Sequence, residues 1–344
     1  MRVLMVTCEW PTAEYPYTSP FVVRQVAFLR RAGIEVEVFA FRGAKNPLNY
    51  LRAWCQIRKR LRRESYDLVH AQWGQSAITV LPTRLPLVVT FRGGEGEGIV
   101  GSNGKYTLLG VILRAVSSLV ARRADELVVV SSHMKGYLPG RRVHVVPSGL
   151  DFSTIPLVPT DVARTQLGLP AGKRLVLFVG NPEEARKRHA LARAVVSRLD
   201  PRLEAELVTA WEITHDQIPL YMCACDALLF TSMFEGSPNV VKEALACNLP
   251  VVSVEVGDVR ERLEGVDGCV VCPGADPDQL AAALTTILQR GRLVDGRNSV
   301  QSLAEEVLTG RIVEIYRLAA AKSGRQTGRA PAGPWHKDTG NELP

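Results

Sequence analysis

The feature that most constrains the fold of this chain is a series of short, almost wholly apolar runs. Leu175-Val-Leu-Phe-Val179, Ala227-Leu-Leu-Phe230 and Val251-Val-Ser-Val254 are examples, and helical periodicity separates such runs from one another. A strand with one wet face alternates apolar and polar residues. Runs that stay apolar at successive positions belong to strands buried on both faces, as in a parallel sheet covered by helices on either side. The pattern predicts strands at 2–8, 34–41, 66–70, 85–91, 126–131 and a short one from 143, with helices at 21–32, 46–63 and 105–123. After a polar, Pro-containing stretch to about residue 160 it starts again, with strands at 174–180, 205–209, 227–230, 251–254 and 269–271 and helices at 238–247, 276–289 and 300–321. The expected architecture is α/β, two doubly wound Rossmann-like domains, 1–150 and 151–321, facing each other across a cleft. Residues 322–344, rich in Gly, Pro, Lys and Thr, read as a disordered tail.

At 344 residues the chain is long enough for two such cores, and 46% hydrophobic with 22% charged residues is a folded, globular composition. Its net charge of +7 is unevenly spread. Residues 1–150 hold 21 Lys and Arg against 10 Asp and Glu, or +11, which leaves 21 against 25, or −4, for the rest. A basic first half favours anionic partners, so peripheral contact with an anionic membrane is one expectation. The densest patch, Arg52, Arg58, Lys59, Arg60, Arg62 and Arg63, has the plainer reading of a solvated helix face. The apolar segment 106–120 is expected either to pack on the sheet or to lie at a membrane surface. Nucleic acid is not an expected partner, because no zinc-finger spacing, aromatic RNA-binding signature or recognition-helix pattern accompanies the charge. The chain enters a strand at once and offers no leader pattern, and its seven cysteines are odd in number. Both point to a reducing, cytoplasmic setting. Cys223-x-Cys225 and Cys269-x-x-Cys272 have the count for a zinc site, but the second pair lies in an apolar run without a His and reads as packing.

In doubly wound sheets ligands bind outside the carboxyl ends of the strands, which directs attention to the loops 9–20, 70–74 and 92–104. The last opens with Arg92-Gly-Gly-Glu-Gly-Glu-Gly98, suited to close backbone approach or to a flap. Gly93, Gly94 and the strand-terminal His70 are the candidates there. In the second half, Gly180 ends a strand and Arg186-Lys-Arg188 follows at a helix entrance, where a diphosphate would meet cations and backbone N–H groups together. Residues 230–252 hold the clearest strand, turn and helix. Ser237 is the expected N-cap, Pro238 the first helical residue, and the N–H groups from about Asn239 to Val241 are free to bind an anion. Glu235 in the turn and Glu243 inside the helix frame that spot.

These segments resemble glycosyltransferase family 4, retaining sugar transferases of the GT-B fold, and in particular cell-envelope and exopolysaccharide members of the teichuronic-acid type. Glu235-Gly-Ser-Pro-Asn-Val-Val-Lys-Glu243 is similar to the family's paired-glutamate motif, and residues 246–252 to the Ala-x-x-x-Pro-Val-Val stretch after it. Residues 145–151, 67–70 and 256–261 look like its interdomain Pro-Asn-Gly-Val-Asp element, its Asp-Val-Val-His strand end and its Gly-Gly-x-x-Glu loop. The likeness covers about residues 1–320, including a last helix that in the family returns to the first domain. It implies that 1–150 serves the acceptor and 151–321 binds a nucleotide-sugar donor. Glu243 would take the ribose hydroxyls, Glu235 would face the donor sugar, and Lys187 would neutralise the diphosphate. Gly180, Arg186, Ser237, Asn239 and Val240 would line the same donor site. The family's partner arginine is Asn181 here, leaving Arg186 to supply its charge, and a His common in the family after Thr-Phe is Arg92, which becomes the candidate catalytic group on the acceptor side.

The chemistry agrees. Breaking a sugar–phosphate bond puts negative charge on the departing diphosphate, which cations and a helix N-terminus stabilise. No Asp-x-Asp pair stands at a strand end, so neither a metal nor another cofactor is expected. The donor is expected to be a nucleotide sugar and the acceptor a carbohydrate or lipid-linked molecule, with the protein in the cytoplasm or at the inner face of the membrane. A nucleotide-sugar epimerase or hydrolase of the same fold, and a non-catalytic sugar-nucleotide-binding protein, are the alternatives.

Overall fold

The computed structural model describes residues 1–16, 18–44, 46–93, 108–138, 140–292 and 295–327. The first half contains β1 (Arg2–Thr7), α1 (Pro20–Arg31), β2 (Glu35–Ala40), α2 (Pro47–Arg63), β3 (Leu68–Gln72), α3 (Gly74–Ala77), β4 (Leu87–Phe91), α4 (Leu108–Arg123), β5 (Glu126–Val129) and β6 (Val143–Val145). The second contains α5 (Thr160–Leu167), β7 (Arg174–Val179), α6 (His189–Val196), β8 (Ala205–Ala210), α7 (Ile218–Ala224), β9 (Ala227–Phe230), α8 (Asn239–Ala246), β10 (Val251–Val254), α9 (Val259–Leu263), β11 (Val270–Cys272), α10 (Pro277–Arg290), α11 (Gly296–Ser299) and α12 (Glu305–Thr327). The strands form two parallel sheets, ordered β2-β1-β3-β4-β5-β6 and β11-β10-β9-β7-β8. Both are wound alike. The strand order reverses between β1 and β3 in the first sheet and between β7 and β9 in the second, which opens a crevice at each reversal.

The uniformly apolar runs are explained by burial on both faces. Leu4 and Val6 of β1 point into one core while Val3 and Met5 point into another, and Leu175 and Leu177 of β7 part from Val176 and Phe178 in the same way. Leu308, Ile312, Ile315, Tyr316 and Ala319 of α12 pack on Val3, Met5, Leu68, Val88 and Val128, so the last helix covers the first sheet. Burying one large aliphatic side chain is worth about 1.5–3 kcal/mol, enough for Leu308, Ile312 and Ile315 together to hold the helix there.

The chain therefore passes twice between the sheets, and the two passages pair. Leu150 N donates to Leu303 O at 2.8 Å and Glu305 N to Leu150 O at 2.8 Å.

Several boundaries differ from the sequence reading. α12 begins at Glu305 and runs to Thr327, past the point where a disordered tail was expected, because Tyr316 and Ala319 anchor it; residues 328–344 lie outside the described residues. The polar stretch before β7 forms α5, pinned by the buried Arg164, which donates to the carbonyls of Ala224, Ala171 and Lys173 and to Asp226. α4 is buried on one side at Val120 and Ala121 yet exposes Val111, Ile112 and Leu119 on the other. Among the described residues no helix is long and apolar enough to cross a membrane.

Candidate functional site

At the strand reversal of the second sheet the loops leaving β7 and β9 are stitched together. Gly180 ends β7 at φ 138°, beneath the aliphatic stem of Lys187. The chain then makes a single turn of 3-10 helix, Ala185–Lys187, and leaves it through Arg188 at φ 54°. Thr231 Oγ1 donates to Lys187 O at 2.7 Å, Arg188 Nε to Thr231 O at 2.5 Å, and Met233 N to Arg186 O at 2.9 Å. The three consecutive cations thus divide their work. Arg188 holds the loop by donating to backbone carbonyls, while Arg186 and Lys187 turn inward.

Both reach one oxygen. Glu235 Oε1 accepts from Arg186 Nη1 at 2.7 Å and from Lys187 Nζ at 2.7 Å. Arg186 also donates to Glu184 Oε1 at 2.8 Å and Phe234 O at 3.1 Å. Burial on its own lowers the pKa of this guanidinium, but Glu235 and Glu184 outweigh that cost and hold it above the ordinary value. Two cations are therefore fixed, and an anionic ligand arriving here would find them already in place.

The helix that follows opens differently from the expectation. Pro238, not Ser237, is the N-cap of α8, and no side chain caps its first turn. The Ser237 hydroxyl instead donates to Asp258 Oδ2 at 2.8 Å, an oxygen that also accepts from Arg262 Nε at 2.8 Å. Ser237 thus ties the turn to the loop after β10, and the N–H groups of Asn239 and Val240 stand at a terminus without a side-chain cap. Asn239 and Glu243 lie one turn apart on one face of α8. Asn239 Oδ1 and Glu243 Oε1 are both buried without a hydrogen-bond partner, and Glu243 as a whole is 5% exposed. Buried acceptors normally find partners, so this pair is a built receptor for donors such as hydroxyl groups. His215 Nε2 lies 3.4 Å from Glu243 Oε1. Sequence reasoning missed His215, although its loop follows β8 at the same sheet edge as the loops that were singled out.

Across the cleft, the turn meets the first domain through main chain. A methyl group on Gly236 would collide with the Arg92 carbonyl and come within 3.2 Å of Gly93 Cα. Gly257, at φ 58°, closes on the same turn from behind, where a methyl would lie 2.7 Å from Glu235 O. Gly93 is thereby at the meeting point, while Gly94 lies outside the described residues.

Two first-domain expectations need correction. His70 is not at a strand end: it lies mid-β3, fully buried, with Nδ1 2.7 Å from Tyr316 Oη and Nε2 2.8 Å from Thr90 Oγ1. Burial, with the Arg92 charge beside it, depresses its pKa to about 3, so it is a neutral core residue joining α12 to the sheet. Arg92 does not offer its guanidinium to the Glu235 turn. Its Nε donates to Gln72 Oε1 at 2.8 Å, Nη1 to Ser148 Oγ at 2.8 Å and Nη2 to Gln25 Oε1 at 3.0 Å, with the Phe21 ring 4.8 Å away. Only its carbonyl faces Gly236.

Two family profiles match the chain, "Glycosyltransferase Family 4" over residues 2–154 and "Glycosyl transferases group 1" over residues 171–290. The chain belongs to glycosyltransferase family 4. Among curated family relatives it is similar to the putative teichuronic acid biosynthesis glycosyltransferase TuaC of Bacillus subtilis, at 24% identity over 75% of this chain and 82% of that one. Among solved structures it resembles sucrose-phosphate synthase from Thermosynechococcus elongatus, with TM-score 0.78 and 17% identity over 93% of this chain and 99% of that one. It also resembles Anabaena HepE, solved in complex with UDP-glucose, with TM-score 0.65 and 17% identity over 94% of this chain and 100% of that one. At such identities the structures establish the fold, which is GT-B.

Proposed function

We propose that this family 4 glycosyltransferase moves a sugar, with retention of configuration, from a nucleoside-diphosphate donor bound at the second sheet to a carbohydrate or lipid-linked acceptor entering from the first. One observation carries the reading. Arg186 and Lys187 converge on Glu235 just before the uncapped start of α8, and Glu243 Oε1 and Asn239 Oδ1 lie buried on the same helix without a hydrogen-bond partner, with His215 Nε2 3.4 Å from the former. Ribose hydroxyls donating to Glu243 would give Oε1 the hydrogen bond it lacks. The diphosphate then meets Lys187, Arg186 and the N–H groups of Asn239 and Val240, above the bare backbone of Gly180, which leaves Glu235 beside the sugar. As the bond to the leaving phosphate lengthens, these fixed positive groups stabilise the charge that develops on it, a term worth about 10²–10³ in rate for a single well-placed donor. Side-chain cations and a helix terminus supply that charge here, so we infer no resident metal or other cofactor. The UDP-glucose in HepE supports a nucleotide-sugar donor, and the name of TuaC supports a product in the cell envelope. The test is transfer of labelled sugar from UDP-glucose, and from a panel of other nucleotide sugars, to an envelope-lipid extract. Glu243→Ala must abolish it; undiminished transfer by that variant would remove the donor site from α8. Rapid consumption of donor without acceptor would mark a hydrolase or epimerase instead.

We further propose that the protein works at the cytoplasmic face of a membrane, a reading its surface supports. α2 exposes Leu48, Leu51 and Trp54, α4 exposes Val111, Ile112 and Leu119, and a groove of about 490 Å³ between the two helices is walled by Trp54, Leu81, Leu119 and Arg123. Arg52, Lys59 and Arg62 on α2 and Arg114 and Arg122 on α4 are exposed on the same helices. Apolar side chains ringed by cations suit an anionic lipid surface. Sedimentation with vesicles should rise with phosphatidylglycerol content and fall for Leu51→Glu. Binding indifferent to lipid charge would argue against this face.

A further inference from the structure

Lys242 follows two valines, directly before the second glutamate of the paired-glutamate motif, and is fully buried, an environment lysine almost never occupies without a specific partner. Its Nζ donates to Ser148 O at 2.8 Å. Ser148 belongs to neither sheet, being part of the passage that leaves β6 for the second domain. From the other side, its hydroxyl accepts from Arg92 Nη1 at 2.8 Å, and Gln72 of β3 and Gln25 of α1 fix the same guanidinium. One residue of the linking chain is therefore gripped by a second-domain cation through its carbonyl and by a first-domain cation through its side chain. Two residues later the link is pinned a third time, where Leu150 pairs with the returning chain at Leu303 and Glu305. There is no slack beside it: a methyl on Gly149 would lie 2.7 Å from Glu305 Cα.

Both ends of this grip bear on the cleft. Lys242 is the neighbour of Glu243 and lies in the helix that opens from the Glu235 turn, and Arg92 is the residue whose carbonyl abuts Gly236. The spacing between the donor groups and the first domain is thus set twice, once directly at Gly236 and once through Ser148.

We propose that Lys242, Ser148 and Arg92 form a clamp that fixes the angle between the two domains, making Lys242 and Arg92 positioning residues of the transfer reaction. Donor contact is left to α8 and the Arg186–Lys187 loop. The proposal rests on the donor-site reading above, because it takes the gap beside Glu235 as the place where sugar and acceptor meet. Burial lowers the pKa of Lys242 to about 7, and its Nζ can donate to the Ser148 carbonyl whether charged or neutral.

Lys242→Met, which keeps the stem and removes the ammonium, and Ser148→Ala, which removes only the Arg92 arm, test the clamp. The exposed native Cys55 on α2 and a cysteine introduced at the exposed Ser197 give spin-label positions on the two domains. We expect Lys242→Met to bind UDP-glucose within about threefold of the parent while its kcat for transfer falls at least tenfold and the label-to-label distance distribution broadens. Ser148→Ala should move both in the same direction and less far. Parent-like kcat and distances in both variants would overturn the clamp, as would a large loss of UDP-glucose affinity in Lys242→Met with unchanged distances. If Lys242→Met does not fold, Ser148→Ala decides alone: unchanged distances and kcat overturn the proposal. A parent protein that neither binds nor turns over any nucleotide sugar would sink the donor reading, and the distance measurement would still judge the clamp.

Discussion

Lys187 Nζ and Glu235 Oε1 meet at 2.7 Å where the loops after β7 and β9 are sewn together, and Arg186 shares the same oxygen at the same distance. The pair joins the two segments of the second half that carry the family's motifs, and it holds a carboxylate where the diphosphate of a donor would compete for the cations. Binding would then be an exchange, with phosphate oxygens replacing Glu235 on Lys187 and Arg186 and the freed carboxylate turning to the sugar.

If so, Lys187→Ala should lower turnover of the nucleotide sugar by about 10²–10³. Lys187→Arg should recover part of it, since a guanidinium keeps the charge and changes the reach. Folding should suffer little, because Arg186 still neutralises Glu235. Steady-state kinetics with a thermal melt on the same samples separates the two effects. A Lys187→Ala enzyme within threefold of the parent would place the diphosphate elsewhere.

Gly236→Ala tests the main-chain contact across the cleft. A methyl there meets the Arg92 carbonyl, a backbone group that cannot rotate away, so the domains must part or the turn must move. Overpacking of this kind costs about 1–3 kcal/mol, and here the strain falls on the geometry of the site. The variant should fold, melt slightly earlier and transfer sugar at least tenfold more slowly, with UDP binding less affected than transfer. Normal transfer rates would show that the close approach of Gly236 to Arg92 is not required.

Much of the fold was legible because double burial writes itself into composition: strands β9 and β10 fall on the predicted residues, and both sheets wind as the strand and helix alternation requires. Glu235 and Lys187 were legible because each stands at a strand end or helix entrance, and the structure joins them at 2.7 Å; Glu243, inside the helix, was legible through its spacing from Glu235. What stayed hidden depends on contacts far apart in sequence. Nothing local in Asp67-Leu-Val-His70 shows that Tyr316, 246 residues on, will close over the imidazole. Nothing near Ser237 tells that Asp258 will take its hydroxyl from the helix cap. Nothing local marks Lys242, and only the fold shows its Nζ reaching Ser148 of the interdomain link.

The His70–Tyr316 hydrogen bond gives a test of how α12 is held. Tyr316→Phe keeps the ring and its apolar contacts but leaves a buried imidazole nitrogen without its partner, which costs about 1–3 kcal/mol. Urea unfolding followed by tryptophan fluorescence should show that loss, with activity per folded molecule preserved because Gln72, Gln25 and Ser148 still hold Arg92. A midpoint identical to the parent's would mean that water or another group can replace the phenol at no cost.

Lys242 titrates near 7 in the folded protein against 10.5 for an ordinary lysine, chiefly through burial; Asp258 and Glu243 oppose that shift, Arg262 and Arg24 add to it, and the buried Glu305 also faces it. Between those two values the unfolded chain holds a proton that the folded chain lacks. Stability therefore rises with pH across that window, by up to about 1.4 kcal/mol per pH unit from this one group. Other groups titrate there too, so the informative quantity is the difference between the parent and Lys242→Met, whose curve lacks this contribution. The parent should gain on the variant steadily from pH 7 to pH 10, as read from unfolding midpoints in urea. Parallel curves would show that Lys242 keeps an ordinary pKa, and that its ammonium is reached by water where the structure buries it against Ser148.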